Sequence, residues 1–385
     1  MNKDKSGEWF LDTELPVSFY IKNSPNIFSI GNRDILNYGT QGPGSRRLVV
    51  VDLKVSNLYL KKILHYLEHY KINHHIVIID ATETNKNIET LLYLLKEIET
   101  FGLTRKSEPI ITVGGGVLLD IVGLAASLYR RGVPYIKVPT TLLGIVDASV
   151  GAKTGINFED RRNRLGAYYA PIVAYLDKSF LKTLEPIEIS SGLGEILKMS
   201  IVKDIKLFEI LKNHGKELYK SKFLECEHAD EVINRSVKGM KDELQDNLWE
   251  KNLMRYVDFG HSFSPIPEMR SLVDTDVESL THGQAVTLDV IFSSIISYSR
   301  GMLSKKEIVD IFTVTKDLAL PTFHTYFSDP NILMEALNDT VKHRNGDQNL
   351  PIPKNIGDSV FINDLTYSEI KKASQLMLAF HEELR

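Results

Sequence analysis

The sequence predicts an α/β fold whose first half is a mostly parallel sheet and whose second half is mainly helical. Three observations carry this reading. Short β-branched runs alternate with longer amphipathic segments up to about residue 177. After about residue 185 the apolar spacing becomes helical throughout. One apolar run ends in three glycines that open directly into a helical pattern, "VGGGVLLDIVGL". Strands that alternate with helices need crossover connections, which produce parallel pairing and cover both faces of the sheet.

Taken in order, "RRLVVVDLKV" (46–55) reads as a buried strand, and "NLYLKKILHYLEHYK" follows it with the apolar spacing of a helix. "HHIVIIDAT" and "IETLLYLLKEIETFG" repeat that unit. "EPIITVGGG", "LLDIVGLAASLYRRG" and "YIKVPTT" read as strand, helix and strand, and "PIVAYLDKSFLKTL" supplies a last strand near 172–177. "ISSGLGEILKMSIVKDIKLFEILKNHGKEL" is predicted helical, with Ser190 or Ser191 as its N-cap. "HADEVINRSVKGMKDELQD", "HGQAVTLDVIFSSIISYSRGML" and "TYSEIKKASQLMLAFHEELR" keep the helical period. The expected division is a Rossmann-like nucleotide-binding domain over 1–185 and a mainly helical metal- and substrate-binding domain over 186–385. Ligands of open α/β sheets lie at the carboxyl ends of the strands, so the site is expected where the two halves meet.

Composition narrows the function. A chain of 385 residues with 43% hydrophobic content has enough material for two cores. A net charge of −4 gives no basic footprint for nucleic acid or an anionic membrane. The one cysteine, Cys226 in "FLECEHAD", rules out an intrachain disulfide and reads as a structural thiol. No apolar run reaches the ~18–20 residues of a membrane span. The start, "MNKDKSGEWFLD", lacks the apolar core of a secretory signal, so a cytoplasmic protein with a small-molecule ligand is expected.

Gly114, Gly115 and Gly116 let a ligand approach the backbone, and the helix behind them offers unpaired N–H groups and a positive dipole end. A diphosphate fits there; so does a plain tight turn, because the spacing is neither G-x-G-x-x-G nor a Walker motif. Neighbouring strand ends add polar groups. Asp52 is placed to accept from ribose hydroxyls, "DATETNK" brings Glu83 and Lys86, and Asp120 lies one turn into the helix. Thr140 and Thr141 follow the next strand, then Asp147 and Lys153. Their recurrence at successive strand ends favours a nucleotide.

Glu195 in "SGLGEILK", His261 in "DFGHSFSP" and His282 in "LTHGQAV" have zinc-ligand character. Two histidines and a carboxylate with one open position form the usual catalytic zinc set, although spacing alone leaves each histidine readable as a core residue. Lys198 shares a helix face with Glu195, as an ion pair or as a group aimed at the ligand. Arg131, Lys153, Arg162, Lys241, Arg255, Lys342 and Arg344 suggest an anionic, phosphorylated substrate.

Together these motifs resemble the sugar phosphate cyclases, the family of 3-dehydroquinate synthase, over about residues 46–365. The resemblance is carried by "GGGVLLDIVGLAASLYRRGVPYIKVPTTLLGIVDASVGAKTGIN", "RNRLGAYYAP", "FLKTL", "SGLGEILK", "FGHSFSP" and "HGQAV". It implies NAD bound by Gly114 to Gly116, Glu83, Lys86, Asp120, Thr140 and Thr141, with Thr183 on the cofactor side. It implies Zn2+, or Co2+, on Glu195, His261 and His282. Substrate would meet Asp147, Lys153, Asn163 and Lys198, with Lys241 and Arg255 beside them. Arg131 matches an arginine that reaches the neighbouring subunit's phosphate, which implies a homodimer.

The departures bear on substrate. Dehydroquinate synthases carry a second histidine where this chain has Pro265, and asparagine where it has Asp258. "VGAKTGIN", "NRLGAYYAP" and "HSFSPIPEM" resemble the branch that cyclises sedoheptulose 7-phosphate. Within it, Leu244, Asp258 and His343 are the combination expected of 2-epi-5-epi-valiolone synthases, where desmethyl-4-deoxygadusol synthases are expected to carry Glu, Ala and Thr. Asp258 is expected to repel a substrate carboxylate, or else to orient His261. His343, beside Lys342, is expected to steer ring opening and aldol closure. The resemblance thus implies an NAD- and zinc-dependent, phosphate-eliminating lyase. The rivals are other sedoheptulose 7-phosphate cyclases, 3-dehydroquinate synthase, a metal-dependent alcohol dehydrogenase that releases NADH, and a non-catalytic NAD-binding relative.

Overall fold

A computed structural model describes residues 9–159 and 161–385. Six strands form one sheet in which every pairing is parallel. Numbered with the other strands of the chain, they are β1 (Tyr20–Asn23), β2 (Arg46–Asp52), β3 (Asn73–Ile79), β4 (Ile110–Gly114), β5 (Tyr135–Pro139) and β8 (Val173–Leu176). Their spatial order is β1-β8-β5-β4-β2-β3. The crossovers include α1 (Leu53–His69), α2 (Ile88–Phe101) and α3 (Gly116–Leu128).

Both faces are covered, as a parallel sheet requires. Leu48 and Val50 of β2 face a core shared with Leu94, Leu118 and Val122, whereas Val49 and Val51 face Ile63, Tyr66 and Leu67 of α1. The chain runs from β2 out to β3 and then returns to the other side of β2 as β4. That reversal opens a crevice at the ends of β2 and β4, where Asp52 and the glycine run sit.

Two hairpins and an edge strand depart from the expectation. β6 (Lys153–Phe158) and β7 (Arg161–Tyr168) pair antiparallel and lean on α3, where Gly123 leaves the room that Thr154 fills. β9 (Leu350–Asn355) and β10 (Asp358–Ile362) form a second hairpin inside the helical half. Pro351 and Pro353 disguise β9, because proline marks edge positions of a sheet. β1 is a four-residue edge strand, short enough to leave no alternation to read.

The helical half begins with α4 (Pro186–Lys203) and α5 (Ile205–Ser221), followed by α6 (Ala229–Gln245), α7 (Pro265–Ser271) and α8 (His282–Ser299). α9 (Lys305–Asp317), α10 (Pro330–His343) and α11 (Tyr367–Glu383) complete it. The N-cap expectation is corrected: α4 starts at Pro186 behind Glu185, and Ser190 and Ser191 are buried inside it. Their hydroxyls serve tertiary contacts instead, Ser190 donating to the Ala319 carbonyl (2.8 Å) and Ser191 accepting from the Gly283 N–H (3.1 Å). One predicted helix is in fact two, broken at Asp204, whose carboxylate accepts from the Leu207 N–H (3.0 Å) and caps α5. Among the described residues no helix is long and apolar enough to cross a membrane.

Candidate active site

A cleft of about 1980 Å3 separates the strand ends from the helical half. Asp52, Glu83, Lys86, Gly115, Gly116, Asp120, Thr140, Thr141 and Thr183 line its sheet side, with Gly114 one residue behind the surface. None of the three glycines has a positive φ, so close approach rather than turn conformation demands Gly114 and Gly115. A Cβ on Gly114 would lie 2.7 Å from Leu118 Cδ2 and 3.2 Å from Asp52 Cβ; one on Gly115 would lie 3.1 Å from Thr141 Cγ2. The loop is packed to its limit and presents bare backbone to the cleft.

The polar groups around it are held in place. Asp52 Oδ1 caps α1 by accepting from the Lys54 (2.8 Å) and Val55 (3.2 Å) N–H groups. Lys86, almost fully buried, donates to Asp120 Oδ2 and to Asn163 Oδ1, both at 2.6 Å. Glu83 Oε1 accepts from Asn157 Nδ2 (2.8 Å) and Arg162 Nε (3.2 Å). Thr141 Oγ1 accepts from the Gly144 N–H (3.0 Å), and Thr183 Oγ1 bonds with the Tyr59 hydroxyl (2.8 Å). Thr140 Oγ1 is buried with no hydrogen-bond partner among the described residues.

Opposite the glycine loop, one packing contact builds the metal candidate. α4 and α8 touch through glycines: a Cβ on Gly194 would overlap the Gly283 carbonyl, and one on Gly283 would overlap the Ser191 carbonyl. Only at that separation does Glu195 reach His282. Glu195, His261 and His282 offer ligand atoms that all lie within 4.8 Å of one another. His261 Nε2 and His282 Nε2 stand 3.5 and 3.4 Å from Glu195 Oε1. The other ring nitrogens are engaged: His261 Nδ1 donates to the Phe259 carbonyl (3.2 Å), and His282 Nδ1 faces Glu268 Oε2 (3.1 Å).

Electrostatics fit a cation in this place. Both Glu195 carboxylate oxygens are buried without a hydrogen bond among the described residues; Lys198 pairs with Oε2, and Oε1, which faces both histidines, is left for a further cation. Burial alone would raise the Glu195 pKa, but Lys198, His261 and His282 outweigh it and hold the group well below the usual range. Burial, with Lys198 beside it, pushes His261 down to about 3, so it is neutral and ready to ligate. For His282, burial and Arg162 push down, but Glu268 and Glu195 prevail and raise it to about 9. The donor set, with carboxylate Oε1 turned to both histidines, therefore fits Zn2+ or Co2+.

Asp147, Lys153, Asn163, Lys198, Leu244, Arg255, Asp258, Lys342, His343 and Arg344 line the remaining wall. Lys198 is buried and ion-paired with Glu195. Burial and the Glu195 charge raise the Asp147 pKa. His343 Nε2 meets Arg164 Nη1 at 2.8 Å, and burial together with that guanidinium pushes its pKa down, favouring the neutral acceptor.

Three expectations are corrected. Lys241 does not line the cleft; it is half-exposed and pairs with Asp242 (3.1 Å). Arg162 lines the cleft, but its guanidinium is committed to Glu83 (3.2 Å) and Glu268 (2.7 Å) rather than left for substrate. Asp258 neither carries an uncompensated charge nor orients His261: it pairs with Arg255 (2.6 Å) and Arg344 (3.5 Å), while His261 turns to a backbone carbonyl. Arg131 also lies outside its own chain's cleft, at the exposed end of α3, where Arg130 and Arg131 both have left-handed backbone (φ 49° and 61°).

Two carboxylates went unpredicted. Glu268 accepts from Arg162 and faces His282; its signal was an acid seven residues after His261 on the same loop–helix unit. Glu250 forms ion pairs with both Lys153 and Arg255 and accepts from the Tyr168 hydroxyl (3.0 Å), from a loop with no pattern to flag it.

Known proteins resemble this chain in sequence and fold. Residues 76–191 match the family described as 3-dehydroquinate synthase N-terminal, and residues 192–343 match 3-dehydroquinate synthase C-terminal. A 2-epi-5-epi-valiolone synthase of Streptomyces albus is 44% identical over 380 residues, 97% of this chain and 91% of that one. A demethyl-4-deoxygadusol synthase of Trichormus variabilis is 35% identical, covering 93% and 86%. Among solved structures, the 2-epi-5-epi-valiolone synthase ValA of Streptomyces hygroscopicus, with NAD+ and Zn2+ bound, matches with a TM-score of 0.91 at 41% identity, covering 97% of this chain and all of that one.

Proposed function

The chain belongs to the 3-dehydroquinate synthase family of sugar phosphate cyclases, and from that premise we propose that it converts sedoheptulose 7-phosphate to 2-epi-5-epi-valiolone with release of phosphate. The observation that carries the proposal is the content of one cleft: His261 and His282, which share a ligand cluster with the buried Glu195, line it together with the glycine loop and with Lys153, Lys198 and Arg255. Full-length identity of 44% with a synthase of this product supports the choice of substrate.

The reaction runs through oxidation at C5, loss of phosphate across C6 and C7, reduction at C5, ring opening and an aldol closure onto C2. NAD+ on the glycine loop, Asp52, Glu83, Lys86, Asp120, Thr140, Thr141 and Thr183 supplies a reversible hydride acceptor and is regenerated each turn. Zn2+ on Glu195, His261 and His282 supplies Lewis-acid polarisation of the substrate's oxygens.

Everything else falls to side chains. Lys153 and Arg255 hold the anionic end of the substrate, and Glu250, which pairs with both, keeps them aligned beforehand. Lys198 projects its ammonium into the same space and favours negative charge developing near the metal site. Asp147, whose pKa is raised, can take up and return a proton at the sugar hydroxyls. Asn163 is oriented by Lys86 and can bridge cofactor and substrate. Leu244 supplies an apolar wall, and Lys342 with His343 closes the far side over the late ring-opened species.

The enzyme is accordingly a carbon–oxygen lyase by class. It acts in the cytoplasm as a homodimer in which Arg131 reaches the neighbouring subunit's phosphate site. The deciding experiment incubates purified protein with sedoheptulose 7-phosphate, Zn2+ and a catalytic amount of NAD+, and identifies the product by NMR. 2-epi-5-epi-valiolone is expected; desmethyl-4-deoxygadusol as main product, or efficient conversion of the dehydroquinate synthase substrate, would refute the assignment.

A further inference from the structure

We infer that Arg162 and Glu268 couple the metal site to the cofactor site, so that filling either one tightens binding at the other. The inference rests on the NAD- and metal-binding reading above, which names the two ligands. A continuous run of hydrogen bonds joins the sites. Asn157 Nδ2 donates to Glu83 Oε1 (2.8 Å), Arg162 Nε donates to that same oxygen (3.2 Å), and Arg162 Nη1 donates to Glu268 Oε2 (2.7 Å). Glu268 Oε2 then faces His282 Nδ1 (3.1 Å). Glu83 lines the cofactor end of the cleft, and both of its contacts fall on Oε1, which leaves Oε2 for a ligand hydroxyl.

Coordination through His282 Nε2 would leave Nδ1 as the ring's one donor, and Glu268 Oε2 stands 3.1 Å away to accept from it. Arg162 Nη1 lies 2.7 Å from Nδ1 and reaches the same Glu268 oxygen at 2.7 Å, so guanidinium, carboxylate and ring form one tight cluster. Glu268 serves both with one oxygen. The metal thereby locks the rotamer of Glu268, Glu268 locks the guanidinium, and the guanidinium locks Glu83. Arg162 belongs to β7 on the sheet side, whereas Glu268 and His282 belong to α7 and α8, so the chain also pins the two walls of the cleft together. Whichever ligand binds first bears the ordering cost of these side chains, and the second binds without it. Linkage requires the effect to be equal in both directions.

The test is titration of NAD+ by calorimetry into chelator-stripped protein and into protein saturated with Co2+ or Zn2+. Wild-type protein should bind NAD+ at least about fivefold more tightly with metal, the lower end of typical coupling. Competition with a chromophoric chelator should show the same factor for the metal when NAD+ is added. In Glu268→Gln and Arg162→Lys the factor should fall below about twofold. The lysine keeps the charge but cannot serve two carboxylates at once, so it covers the case in which Glu268→Gln does not fold. A purely structural role would weaken each ligand separately and leave the factor unchanged. Equal NAD+ affinity with and without metal in the wild type, or an unchanged factor in a folded variant, overturns the inference while the functional reading stands. No NAD+ or metal binding at all overturns both.

Discussion

Asp258 illustrates how a residue's meaning depends on its neighbours. As a letter near His261 it reads as a negative charge close to the substrate, but Arg255 and Arg344 neutralise it. Asp258→Asn should therefore not admit a carboxylate substrate. It should cost about 1–3 kcal/mol in urea unfolding, because the largely buried Arg344 loses its counter-charge. His261→Ala should weaken metal binding by more than about 100-fold, beyond what loss of a group supporting a ligand typically does, while circular dichroism shows the fold intact. Lys137 bears on pH. It is fully buried and donates to the Ala148 (2.8 Å) and Gly151 (3.0 Å) carbonyls, holding the turn that carries Asp147 toward Lys153. Burial lowers its pKa from 10.5 to about 8. The folded protein gives up that proton near pH 8, while the unfolded chain keeps it until about 10.5. The unfolded state thus binds more protons in that window, and this group's contribution to stability rises with pH, by at most ~3 kcal/mol. Lys137→Met should flatten the wild-type stability curve between pH 8 and 10; identical slopes would refute the assignment.

At the scale of elements, the decisive contact is α4 against α8. Gly194 in "SGLGE" and Gly283 in "THGQ" both lie in helices, where a glycine serves close approach rather than a turn. Gly283→Ala would drive a methyl group into the Ser191 carbonyl and force the helices apart. The expected cost is at the upper end of the ~1–3 kcal/mol typical of overpacking, with metal affinity lost in parallel because Glu195 leaves His282. A variant that melts like wild type and keeps its metal would show that the contact is slack. The main strands and helices were readable because each is long enough for its period to register. The β6–β7 hairpin was not, since its residues also form a motif cluster and its register is set by packing on α3. β9 was hidden by prolines that an edge position tolerates.

Across the whole molecule the proposed reaction oxidises and then reduces the same carbon, so one bound NAD+ should support many turnovers. Full conversion with substoichiometric NAD+ and no accumulating NADH absorbance is expected; NADH formed in step with substrate loss would favour a dehydrogenase. Glu195, His261 and His282, which the structure brings within 4.8 Å of one another, could be named from ligand type together with the family resemblance, because spacing alone left each histidine readable as a core residue. Alternation of strands and helices was local, as periodicity reports burial one element at a time. What tertiary structure alone decided is who partners whom. Lys241 points away from the cleft, Arg162 is spent on Glu83 and Glu268, and Glu250 joins Lys153 to Arg255. The pairs Arg162–Glu83, Arg162–Glu268 and Lys153–Glu250 join residues from about eighty to more than a hundred positions apart. The energy of a charge is set by the groups and the dielectric around it in space, which no linear spacing encodes.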